Sequence, residues 1–507
     1  MGVESSIDER VVPGSDHVCG VVAEPITKPG RIHDVGEQER RSQRFRHCRK
    51  LPAPAGAARV NREATYDAPM RRTAPTLLMT LALLFVPAGA ANAHPDHDES
   101  NQKGPPTDQS FTQRQLAVAE APQPESSAAC GNGTAGRYTC NNVDLLAYLP
   151  AHLIGHGYAN DLWGWDDPAT GASYALIGHE AGTTFVDIST PTEPAVVGVL
   201  PTHTRTSRWR DIKVLGNYAV VVSEAGRHGM QIFDLTSLRE TTGPATRFET
   251  TAHYDGFGNA HNVAVNEQSD TAIAVGTSTC AGGLHIVDLD DPLRPRFAGC
   301  FSADGYTHDV QCVRYTGPDV AYRGRDMCFA SNEDTLTIVD ITMPSSPELV
   351  SRSSYPGVGY SHQGWLSDDQ RWFLGDDEYD ERIRQHGTRT YLWDLADLDA
   401  PPSPETHTAD TISTDHNQYV SGGFSYQANY RAGLRILDVR RAPAGLLTEA
   451  GFFDIVPGSD KRGYSGAWTA YPFHGSGLVT VSGIEQGLFV LRFTGSDSLQ
   501  EGRFLAV

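Results

Sequence analysis

Two stretches set a histidine behind a Gly-Tyr pair, GYTHDV at 305–310 and GYSHQG at 359–364. His308 and His362 each precede a strand-like run, and His261 (HNVAV) and His416 (HNQYV) stand before runs of the same kind. Imidazole nitrogen suits zinc, manganese or iron, whereas an oxygen-rich set suits calcium. Polar groups recur in nearby loops: His179 and Glu180, Glu224, Asn332 and Glu333, Asp376, Asp377 and Glu378, and Asn429 with Arg431. A metal site follows if the fold brings these residues together.

What must position them is a repeat. A β-rich run returns seven times, as TTFVDIS (183–189), MQIFDLT (230–236), LHIVDLD (284–290), LTIVDIT (336–342), TYLWDLA (390–396), LRILDVR (434–440) and LFVLRFT (488–494). The first six end in Asp187, Asp234, Asp288, Asp340, Asp394 and Asp438, with Arg492 in the seventh place. Periods of 44 to 54 residues, each holding several short strands, predict the blades of a β-propeller. Proline turns such as DLDDPLRP follow the Asp-ended runs, and those aspartates are expected to cap the turns. The seventh unit lacks a fourth strand, and VDLLAYLP at 143–150 has the pattern of one. The predicted fold is therefore all-β, a seven-bladed propeller whose N-terminal strand closes the last blade and leaves no open sheet edge.

The Asp-ended runs, with GYTHDVQC, EDTLTIVD, SHQGW and NYRAGLRILD, resemble the LVIVD repeat. Over roughly residues 141 to 495 the chain is similar to the choice-of-anchor B family of secreted, propeller-like proteins. That resemblance implies the fold and export, and carries no assigned activity.

Alignment on the start of the inner strand gives a first column of Asn160, Arg210, His261, His308, His362, His416 and Gly466, followed by Asp161, Asp211, Asn262, Asp309, Gln363, Asn417 and Ala467. Inner strands line a propeller's channel, so these residues are expected at one mouth, with the loop residues His179, Glu180, Glu224, Glu333 and Asp377 on the same rim. His261, His308, His362 and His416 are the metal candidates, for zinc, manganese or calcium. The competing reading is a hydrogen-bonded network that holds the blades in place. Trp163, Trp165, Trp209, Tyr306, Tyr360 and Trp365 are expected near the same rim, stacked on a sugar or flat ligand or wedged between blades.

Composition bounds the rest. The chain has 507 residues, 50 of them glycine and 31 proline, which suits a turn-rich globular protein. Met70, Arg71 and Arg72, the apolar run 77–86 and the AGAANA stretch ending at Ala93 read as a Sec-type signal peptide spanning 70–93. Residues 1–69 then read as a non-native or unstructured upstream extension, 94–129 as a disordered linker, and 130–507 as the propeller. Without the first 93 residues the chain keeps 28 basic and 52 acidic residues, a sign that disfavours nucleic acid as a partner. Six cysteines remain, and an even number in an exported chain argues for disulfides, with 15 possible connectivities. Proximity favours Cys130 with Cys140, Cys280 with Cys300, and Cys312 with Cys328; a zinc site built from them is the alternative.

No GxSxG, HExxH or phosphate-binding glycine loop occurs in the sequence. The reading favoured over an enzyme is a secreted, monomeric binding module without a retained membrane anchor, for a small-molecule, glycan or protein ligand. A metal-dependent extracellular hydrolase is the first alternative and a passive surface or matrix scaffold the second.

Overall fold

The computed structural model describes residues 123–495, apart from 242, 443, 444 and 446, and two short strands near the N-terminus. Those two, His17–Cys19 and Cys48–Lys50, pair antiparallel in a unit of their own spanning Met1–Val86. The signal peptide expected at 70–93 and most of the expected linker lie outside the described residues.

The remainder is a seven-bladed β-propeller. In blades 1 to 6 the four main strands run antiparallel and in sequence order from the axis outward, blade 1 adding the short parallel strand Thr246–Arg247 at its edge, and blade 7 takes its outer strand from the N-terminal side of the ring. The inner strands are Ala159–Asp166, Arg210–Leu215, Asn262–Asn266, Asp309–Arg314, Ser361–Leu366, Gln418–Ser421 and Ala467–Tyr471. Each touches the inner strand of the next blade around the axis.

Blades are apolar on both faces because each sheet packs against two neighbours. The second strand Tyr218–Ser223 (YAVVVS) shows this, being buried along nearly its whole length. Seven apolar clusters fill the seven seams. One joins blades 3 and 4 through Ile273, Val275, Ile286, Val310 and Val339, and another joins blades 6 and 7 through Ile436, Phe453, Val481 and Phe489.

The expected closure is present. Val143–Pro150 pairs with Gly487–Phe493 as the outer strand of blade 7. The preceding strand, Tyr138–Asn141, pairs with the outer strand of blade 6, so one N-terminal segment ties two adjacent blades. Glu125 and Ala128 bridge to Tyr148 and Leu145, which makes the end of the stretch read as linker part of the folded edge. The three disulfides are Cys130–Cys140, Cys280–Cys300 and Cys312–Cys328, the pairing that proximity favoured.

The aspartates that end the third strands cap turns. Asp187, Asp288, Asp340, Asp394 and Asp438 each accept a hydrogen bond from the backbone N–H two residues on, at 2.8 to 3.1 Å. Asp234 does the same for Thr236 at 3.0 Å.

Candidate functional site

The four histidines stand at the starts of neighbouring inner strands and form a continuous arc. Ring centroids are 4.2 Å apart for His261–His308, 4.2 Å for His308–His362 and 4.6 Å for His362–His416. Trp468 extends the arc into blade 7, 4.6 Å from His416. All four rings are buried. Their Nδ1 atoms are engaged by Glu224 Oε1 at 2.6 Å for His261, the carbonyl of His362 at 2.9 Å for His308, Asp376 Oδ1 at 3.1 Å for His362, and the carbonyl of Trp468 at 2.6 Å for His416.

An arc of side-by-side rings differs from four rings aimed at one point. Ligand atoms of His362, His416 and Glu378 lie within 4.8 Å of one another, and His261 and His308 stand outside that group. Glu378 comes from the end of the second strand of blade 5; its Oε1 accepts from Tyr430 Oη at 2.5 Å and lies 3.9 Å from His416 Nε2.

The other expected rim residues divide by environment. Asp377 is spent on structure, because its two oxygens accept from the backbone N–H groups of Gly359, Tyr360, Tyr379 and Asp380 and from Tyr355 Oη. His179 ends the second strand of blade 1, where Nδ1 accepts from Ala181 N at 3.3 Å and Nε2 donates to Thr184 Oγ1 at 3.2 Å. Burial, with the Arg210 charge nearby, lowers its pKa to about 4. Glu180 is half-buried and pairs loosely with Arg208 at 3.7 Å. Glu333 lines a shallow groove with Tyr306 and Tyr360, and burial raises its pKa.

Asp161, Asp211 and Asp309 are not on the histidine rim. They lie inside the channel around Lys213, whose Nζ is 2.5 Å from Asp211 Oδ1 and 3.3 Å from Asp161 Oδ2. Thr469 Oγ1 donates to Asp161 at 2.8 Å and Val263 N to Asp211 at 2.6 Å. Burial raises the Asp309 carboxyl to about 8 against the pull of the lysine. The reason for the displacement is pleat geometry: side chains alternate along an extended chain, so the residue after the histidine position points the other way, into the channel. The sequence signal for Lys213 was a charged residue inside the strand-like run DIKVL.

The aromatic residues separate as well. Trp163 and Trp365 fall toward the C-terminal ends of their inner strands, at the opposite mouth from the histidines. There they join Tyr419, Tyr471 and Phe473 around a cavity of about 330 Å³ that Lys213 and Asp309 also line. Trp165 stacks on Tyr174 in the seam between blades 1 and 2, and Tyr360 packs against His308 and Tyr379.

Sequence reasoning put Asp376 and Glu378 at the histidine mouth but passed over Asp380, Glu381 and Asp415. Asp376, Glu378, Asp380, Glu381 and Asp415 are all buried beside it, with His386 partly buried among them. Desolvation pushes Asp380 up to about 6 and Glu381 up to about 10, each also raised by the other's neighbourhood of acids. Asp376, Asp377 and Glu378 were expected on the rim, and the fold buries them together with Asp380 and Glu381.

The LVIVD repeat family matches the chain at residues 170–202 and 318–354. No characterised protein in the curated collection matches it. Among solved structures, the β-propeller domain of Cps50 (Swd1) from Myceliophteria thermophila is 12% identical, with a TM-score of 0.44, over 67% of this chain and 97% of that one. The chain thus carries LVIVD repeats within a seven-bladed propeller, an architecture suited to a binding or scaffold module. Among the described residues no helix is long and apolar enough to cross a membrane.

Proposed function

We propose that the protein is an exported binding module of the choice-of-anchor B kind, whose working face is the histidine-bearing mouth and whose His362, Glu378 and His416 hold a divalent metal there. The observation that carries this reading is the approach of two imidazoles and one buried carboxylate to within 4.8 Å of one another. Two histidines and a carboxylate make a donor set for zinc, with a fourth position open to a ligand or water. Nδ1 of each ring is engaged, by Asp376 in one case and the Trp468 carbonyl in the other, which supports Nε2 as the nitrogen that would hold a metal. Export accords with three disulfides, which persist in oxidising compartments.

Elemental analysis of protein purified from an exporting host without chelator tests this. About one equivalent of zinc or manganese is expected in the parent and none in the His362→Ala, His416→Ala double variant, with both proteins folded. A parent free of stoichiometric metal would overturn the metal. Metal bound without turnover on ester, phosphate and lactone substrates separates a binding module from a hydrolase.

A further inference from the structure

The mouth opposite the histidines opens on a cavity that the metal reading does not use. Its volume is about 330 Å³, within the range of small-molecule sites, about 300–1,000 Å³. Five aromatic side chains stand around it: Trp163, Trp365, Tyr419, Tyr471 and Phe473. Trp163 meets Tyr471 and Tyr419 at 64° and 77°, and Tyr419 meets Trp365 and Phe473 at 69° and 80°, with ring centroids 4.9 to 6.0 Å apart. Rings set near right angles form a cage around a rounded group, whereas a sugar or a flat ligand calls for one open platform.

The charges in the same cavity point to the sign of that group. Of the charged side chains that line it, Glu267 and Asp309 are acidic and Lys213 is basic. Lys213 is already spent. Its Nζ donates to Asp211 at 2.5 Å and to Asp161 at 3.3 Å, and it lies 4.6 Å from the centre of the Trp163 ring. Asp309 Oδ1 accepts from Val310 N at 2.6 Å, and among the described residues no donor reaches its Oδ2. A hard metal ion takes about six oxygens or more, and one open carboxylate oxygen among aromatic rings does not supply them. An organic cation is matched on both counts, because π faces attract a positive charge within about 6 Å of the ring centre. We propose that this end of the channel is a second ligand site, for a small organic ammonium of the choline type, with the rings around its methyl groups and the open Asp309 oxygen facing its charge. A neighbouring cation favours the ionised form of that carboxyl. The site stands whether or not His362, Glu378 and His416 hold a metal at the other mouth.

The test titrates the full chain with choline and with tetramethylammonium chloride by calorimetry and tryptophan fluorescence, at pH 9, above the Asp309 value of about 8. About one equivalent of each is expected to bind saturably, at least tenfold more tightly than the neutral tert-butyl isostere of choline. Asp309→Asn and Trp365→Ala should each weaken choline by about tenfold. Trp365→Phe, which keeps a ring with a weaker π face, serves if the alanine variant does not fold, with a loss of about threefold. A parent that binds neither ammonium overturns the site, and so does binding that the Asp309 and Trp365 variants both retain. Equal binding of the neutral isostere overturns the cation, leaving an apolar cavity. Binding of methyl glucoside in place of choline overturns it in favour of a sugar.

Discussion

At the scale of single residues, the channel sets a charge balance that pH can shift. Asp309 is buried beside the Lys213 and Asp211 pair, and its pKa of about 8 lies well above the ordinary carboxyl value of 3.8. Between those values the folded state keeps a proton that the unfolded chain releases. Stability from this group is therefore lost as pH rises from about 4 to 8, by at most about 1.4 kcal/mol per pH unit. Asp309→Asn removes that slope, so the variant should gain on the parent between pH 5 and 9 when urea midpoints are compared. An unchanged difference across that range would show Asp309 already ionised at neutral pH. His228 opposes this trend at the acid end. Its Nδ1 donates to the Gly229 carbonyl and its Nε2 accepts from Arg210 Nη1 at 3.1 Å, so burial and the guanidinium lower its pKa to about 3. Stability from that group is present above about 6.5 and falls away with acid.

At the scale of elements, the second-to-third-strand connection of blade 5 carries most of the site, and Asp377 organises it. Five donors converge on one carboxylate, four of them backbone N–H groups of Gly359, Tyr360, Tyr379 and Asp380. Charge-assisted bonds of this kind contribute about 1.5–3 kcal/mol each before context is considered. Asp377→Asn turns one acceptor oxygen into a donor facing donors. We expect it to lower stability by about 2–4 kcal/mol and to raise hydrogen exchange over residues 357–381, with little change elsewhere. Uniform exchange across the propeller would refute the local role. The turn aspartates act on a smaller scale, each satisfying one backbone donor in the manner of an Asx-turn.

At the scale of the molecule, stability rests on closure. Every seam between blades is an apolar cluster, and the last is completed by a strand from the other end of the propeller. A chain of residues 123–495 should unfold in one cooperative transition. A chain beginning at 151 exposes the edge of Gly487–Phe493 together with the apolar side chains that Leu145, Tyr148 and Leu149 cover, Phe489 and Leu491 among them, and should lose that transition or aggregate, as read by calorimetry and light scattering. Equal melting of the two would mean that the ring does not need the closing strand.

Blade number, strand order, the closing strand and the disulfide pairs were legible because each leaves a local record: a period, a turn signal, or two cysteines close in the chain. The histidine series was legible for the same reason, since repetition puts equivalent residues at equivalent radii. Tertiary structure alone decided what those residues meet. Alternation along a strand is a matter of one residue, and that single step sent Asp161, Asp211 and Asp309 into the channel with Lys213 instead of onto the rim. Two residues beyond Asp161 and two beyond Gln363, on the same face of their strands, Trp163 and Trp365 reached the opposite mouth. That Asp380 and Glu381 are buried with Asp376 and Glu378 could not be read from the sequence, because nothing local reports which distant segments cover them. Periodicity belongs to the chain, whereas the burial of a charge depends on which distant segments cover it.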